Sequence, residues 1–335
     1  MRNLGKLTLA AALAVVGIAP AFAATTIKIA TIAPDGTAWM REMRAAGDAV
    51  KKGTDGRVEV KYYPGGIMGD DATALRKIKI GQLQGGAFTG GEATVITPDA
   101  QVYSIPFLYR SQDEIDKLRA KLDPLVKQQF QSAGYELLGI SGAGFAYLMS
   151  TRDIKSREDL KSAKVWVPQG DKAAELAFKV AGVTPIPIPL SDVYTSLQTG
   201  LIDTAENTTS GAIAFQWHTK LKYMVDLPLS YVVGEIVVDK KVIDTLSPED
   251  RKVLDDAFAA GFARLETGNR ADNASARDAL KQQGIKFTVP TDAERKSWEA
   301  VGTDAFKLLI DQGGISPTML KALNAALADI RGGAK

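Results

Sequence analysis

The chain has 335 residues, with 41 basic and 39 acidic side chains, one histidine and no cysteine. The missing cysteine excludes disulfides, thiol nucleophiles and cysteine-borne lipid anchors, and one histidine leaves little for metal or triad chemistry. A charge balance this even is a poor match for a polyanion, so no nucleic-acid partner is expected.

Residues 1–23 read as a cleaved secretory signal: Arg2 and Lys6 are basic, Leu7 to Ala19 is apolar, and Ala21-Phe22-Ala23 is a small-x-small site. The apolar run is about 13 residues, short of the roughly 20 that span a bilayer. The expected location is therefore the periplasm. Removing Arg2 and Lys6 leaves no net charge. The remaining chain, about 312 residues, exceeds one typical core and predicts two domains.

Ile27 to Ile32 alternates as a strand, and Ala33-Pro34-Asp35-Gly36 turns into a helix from Thr37 with Trp39, Met43, Ala46 and Val50 on one face. A strand over 58–62 follows, then a helix capped by Asp70 or Asp71 and ending near Gly81, then a strand over 85–89. This alternation predicts an α/β sheet with helices on its faces. Further strands are expected at 135–140, 145–150, 164–167, 202–205 and 232–238, with helices at 171–181 and from Ser191-Asp192 to Gly200. Ser247-Pro248-Glu249-Asp250 starts a helix that continues to Gln283, long enough to be a strut across two lobes. The expected fold is thus α/β, a two-lobe periplasmic binding protein with a central cleft and a long helix spanning both lobes. Residues 24–143 plus 233–272 form lobe I, and 144–232 plus 273–335 form lobe II. No catalytic constellation, metal set or cofactor motif is visible; Asp70-Asp71 reads as a helix cap, not a metal pair.

Four stretches carry a resemblance: GRVEVKYYPGGIMGDD (56–71), SIPFLYRS (104–111), LKSAKVWVP (160–168) and SDVYTSLQTGLIDTAENT (191–208). In this order and spacing the chain resembles the solute-binding subunits of TRAP (tripartite ATP-independent periplasmic) transporters, of the dicarboxylate-binding type. The resemblance implies a monomer that closes on a small organic acid and docks on membrane permease subunits without ATP hydrolysis. It also implies an arginine in a K-x-R-V-P strand, whose planar fork pairs with the ligand carboxylate. At that position this chain has Trp166. A second arginine of sialic-acid-binding relatives falls on Ala146, their cleft asparagine on Asn207, a cleft aromatic on Leu190, and a first-lobe contact near Thr89.

The expected ligand contacts are therefore Trp166, Asn207, Phe88, Thr89, Gly90 and Leu190, with Phe145, Trp39 and Asp35 as further walls. Asn207 and Asp35 also suit plain turns, and Trp39 and Trp166 suit plain core. Glu206 reads as a hinge or packing partner. Gly90 and Gly91 are expected to let a ligand approach backbone. Without the guanidinium, the ligand is expected to be aromatic, apolar or longer-chained, unless Arg76, Arg110 or Lys172 supplies the cation. With Trp166 in the cleft, Trp166→Ala should leave the unliganded protein nearly as stable. A ligand-presenting partner of a membrane sensor kinase is the rival function, and a periplasmic enzyme the more distant one.

Overall fold

The computed structural model describes residues 24–332; the signal expected at 1–23 lies outside the described residues. Three parallel strands open the fold, with β1 (Thr25–Ala30) between β2 (Val58–Tyr63) and β3 (Gly85–Thr89). The crossovers are α1 (Ala38–Gly53) and α2 (Asp71–Lys79). Thr37 and Asp70 cap them by accepting from the backbone N–H of Met40 and Thr73, so Asp70 does the local work expected of it.

Residues 112–132, to which the sequence reading assigns no element, form α3 (Gln112–Ser132). Ser111 caps it, and Ile115, Leu118, Leu122, Val126 and Phe130 make its buried face. Pro124 sits inside, where it ordinarily costs about 3 kcal/mol. Five buried apolar side chains at roughly 1.5–3 kcal/mol each outweigh that.

β4 (Tyr135–Ser150) is one strand of 16 residues where two short ones are expected. The intervening Ser-Gly-Ala-Gly stays paired through a register shift between Gly142 and Gly144. Gly144 has φ +116°, a conformation a side chain would strain, and a Cβ there would meet Asn273 Nδ2 at 2.7 Å. Its antiparallel partner, reached after the second lobe, is equally long. That lobe holds α4 (Arg157–Leu160), β5 (Trp166–Pro168), α5 (Lys172–Val180), β6 (Ile186–Ile188), α6 (Val193–Thr199), β7 (Thr204–Asn207) and α7 (Thr209–Ala214). β5 and β6 form a separate parallel pair, bridged to β7 through Val165 and Thr204. α6 begins after a 3₁₀ turn at Leu190–Asp192, and Asp192 makes no side-chain cap, against expectation.

The return strand is β8 (Tyr223–Asp239), 17 residues. It is followed by α8 (Lys240–Ile243), α9 (Pro248–Gln282) and β9 (Lys286–Thr288). The main sheet runs β2-β1-β3-β8-β4-β7, with β9 also on β8, so β4 and β8 thread both lobes. α9 is the expected strut: Ser247 caps it, and its 35 residues give a length of about 52 Å. It packs on α1 and β4 and also on α7. Contact with β4 depends on Gly139, because the Phe262 ring occupies the place a Cβ would take. Gly139→Ala is expected to lower stability by about 1–3 kcal/mol in urea unfolding, since neither ring nor strand has room to yield.

α10 (Asp292–Asp311) packs on α5, and α11 (Pro317–Gly332) packs on α3. In that second contact Met319, Leu323 and Leu327 share a buried cluster with Ile115, Leu118 and Leu122. Among the described residues no helix is long and apolar enough to cross a membrane.

Candidate functional site: a cleft with an acidic inner cavity

Two connected spaces lie where the lobes meet. The outer one, about 710 Å³, is walled by the β1–α1 turn, the ends of β3 and β7, α7 and the middle of α9. Behind it an inner cavity of about 70 Å³ is lined by Thr89 to Glu92, Ala146, Trp166, Asp171, Leu190, Glu206 and Asn207, among others. Thr89, Leu190, Asn207, Val232 and Val233 face both.

Strand alternation sends Val165 and Val167 into a cluster with Leu148 and Phe178, and Trp166 into another with Val193, Leu197 and Trp217. The indole is 3 % exposed, and its Nε1–H donates to the Ile188 carbonyl at 2.8 Å. Its ring meets Trp217 edge-on at 5.3 Å between centroids. It is therefore a core residue that also lines the inner cavity, and its only donor is already taken.

The other expected residues divide. Thr89, Leu190 and Asn207 face both spaces, Gly90 the inner one, and Asp35, Trp39 and Phe88 the outer one. Asn207 Oδ1 accepts from Thr208 N–H at 2.8 Å, so a turn role coexists with its place in the lining. Asp35 is largely exposed and pairs with Arg44 at 3.0 Å. Trp39 packs edge-on against Phe262, and Phe88 is 3 % exposed, so both are core as well as wall. Phe145 does not belong here. It lines a separate cavity of about 380 Å³ with Tyr231 and Asn273, because neighbouring strand residues face opposite ways and it is Ala146 that faces the inner cavity. Gly90 and Gly91 line the inner cavity and also make room for close packing. The Ala100 carbonyl fills the Cβ place at Gly90, and the Asp171 carboxylate fills it at Gly91.

Among the described residues no lysine or arginine lines either space. Arg76 bonds Thr73, Lys172 faces Glu175, and Arg110 is exposed, so none of the three replaces the absent guanidinium. The cavity instead holds carboxyls that the sequence reading did not bring together. Glu92 accepts from the Thr89 hydroxyl at 2.8 Å, and Asp171 caps α5 through Ala174 N–H at 2.9 Å. Glu206 also lines the cavity, and its buried Oε2 has no hydrogen-bond partner among the described residues. Burial, with the Asp171 charge added, pushes the Glu206 carboxyl up to about 8. Burial also raises Asp171, to about 6, backbone N–H bonds partly offsetting it while Glu92 adds to it. Asp71 is raised by burial and by Glu92 beside it. In the sequence Asp171 looks only like a helix start and Glu206 only like a neighbour of Asn207, so nothing local marks them as a group.

One sheet threaded through two lobes, with a walled cavity at their junction, defines a cleft-binding protein. The chain belongs to the bacterial extracellular solute-binding proteins, family 7, whose model matches residues 29–311. This is the TRAP solute-binding family that the four motifs resemble. Its relatives include the C4-dicarboxylate-binding periplasmic protein of Rhodobacter capsulatus, 25% identical over 338 residues, 98% of this chain and 99% of that one. The ectoine/5-hydroxyectoine-binding periplasmic protein of Ruegeria pomeroyi is 26% identical over 282 residues, 81% of each chain. Among solved structures, a TRAP periplasmic solute-binding protein from Desulfovibrio salexigens with bound orotic acid superposes with a TM-score of 0.84 at 20% identity. It covers 91% of this chain and 99% of its own.

Proposed function

We propose that the protein captures a small organic solute by closing its lobes and delivers it to a TRAP-type membrane permease. The observation that carries this is the cavity itself: β3 and the turn after it face β5, the start of α5 and the end of β7 across it, so closure and binding are one event. The register shift at Gly142–Gly144, opposite Val233–Val232, supports a hinge at the expected lobe boundaries. Export with cleavage after Ala23 and a role without catalysis belong to the same reading. The relatives named above supply the class of solute, a small organic compound, but not the identity of this one.

The test is mass spectrometry of whatever compound co-purifies with the mature protein. A single compound is expected, released unchanged on denaturation, whose return contracts the radius of gyration in solution scattering and raises the melting temperature. A compound that comes back chemically altered, or one that leaves the radius unchanged, would defeat the proposal. Succinate is expected to give no micromolar binding by calorimetry, because among the described residues no guanidinium lines the cleft to pair with it.

A further inference from the structure

We propose that the inner cavity takes the ammonium head of an organic amine, so that this solute receptor selects a cation; the assignment rests on the solute-binding reading above. Glu92, Asp171 and Glu206 come from three separate segments and converge on the cavity at 6, 6 and 9 % exposure. Glu92 and Asp171 each accept a hydrogen bond from the protein. Glu206 Oε2 is buried with no partner among the described residues. A buried carboxyl without a partner is costly in either protonation state, and in a cleft that binds solutes a ligand donor is its natural partner.

The surroundings select the sign of that ligand. Among the described residues no lysine or arginine lines either space to receive an anion, and an anion would join carboxyls already crowded together. The Trp166 N–H is held by the Ile188 carbonyl, so it is not free to donate to a carboxylate. A metal ion fits less well: among the described residues no group of three His, Cys, Asp or Glu side chains is placed to hold one. A primary ammonium, with three donors on one small atom, matches Glu206 and its neighbours. The head group suits about 70 Å³, and the remainder of the molecule extends into the outer space beside Trp39, Phe88, Leu190 and Phe215.

The same groups tie binding to protons. Glu92 after β3, Asp171 before α5 and Glu206 on β7 line the inner cavity, and Asp71 at the start of α2 lies beside Glu92. Burial raises Asp71, Asp171 and Glu206. An entering ammonium favours the ionised carboxyls, so protons leave as it binds and affinity climbs with pH between about 6 and 8.

Two matched pairs of probes separate charge from shape: butane-1,4-diamine against succinate, and 2-phenylethylamine against 3-phenylpropanoate, each titrated by calorimetry into the mature chain freed of co-purifying solute. In at least one pair the amine is expected to bind about 100-fold tighter than the acid. Its affinity should rise about 10-fold from pH 6 to pH 8, and Glu206→Gln should remove at least about 10-fold of it. Should Glu206→Gln fail to fold, Glu92→Gln is read the same way. Equal or tighter binding of the acid in both pairs overturns the assignment, as does failure of both amines to bind, or an affinity indifferent to pH and to the substitution. An acid that binds and contracts the protein in scattering would remove the amine but leave solute capture standing. A protein that carries and closes on no solute would remove both.

Discussion

Trp166→Ala is expected to cost the unliganded protein about 3–5 kcal/mol, the range for removing a large buried ring from a packed core. The sequence alone favours a much smaller effect, because the resemblance places this position against ligand. The structure reverses that expectation. At 3 % exposure the indole fills space between Val193, Leu197 and Trp217, and its N–H satisfies the Ile188 carbonyl in the neighbouring strand. Truncation leaves a cavity and an unpaired carbonyl together. Calorimetry of the apo protein should show the melting temperature falling by roughly 10 °C. A fall of a degree or less would mean that Trp166 stands free in the cleft and that its packing does not hold in solution.

Glu206→Gln is expected to do the opposite at alkaline pH. The folded carboxyl is raised from an ordinary 4.5 to about 8 by burial and by Asp171. A raised group stabilises the fold fully below its unfolded value, and that contribution is lost as pH rises through the folded one. Native stability should therefore decline between about pH 5 and pH 9, with Asp171, raised to about 6, contributing the same sign in the lower part of the window. Glutamine carries no charge to desolvate. The variant should match the natural protein near pH 5 and exceed it by pH 9, by at most roughly 3–5 kcal/mol. Guanidinium midpoints at pH 5, 7 and 9 read this directly. Parallel curves for the two proteins would show that Glu206 titrates normally.

These two substitutions test different links. The first asks whether an aromatic residue in an unusual place has become structure, the second whether a carboxyl left unpartnered is kept at a cost to stability. A protein can carry such a cost where a binding site requires it.

The helices that the sequence announces are those whose ends carry their own signals. Asp70 and Ser247 each accept from an N–H group three residues on, so local backbone geometry is enough to reveal them. The short strands of the first lobe are legible for the same reason, as alternation and the turns between them are local. α3 was obscured by Pro124, and the joining of β4 through Gly142–Gly144 by a glycine-rich stretch that reads as a break. The placement of α11 on α3 rests on contacts between residues about two hundred positions apart, which no periodicity encodes. The amino-acid sequence by itself thus determined the capped helices, the short strands of the first lobe, the family and the departure at Trp166. Only the tertiary structure decided that Glu92, Asp171 and Glu206 line one cavity to which, among the described residues, no lysine or arginine contributes, because burial and charge proximity are properties of the assembled fold.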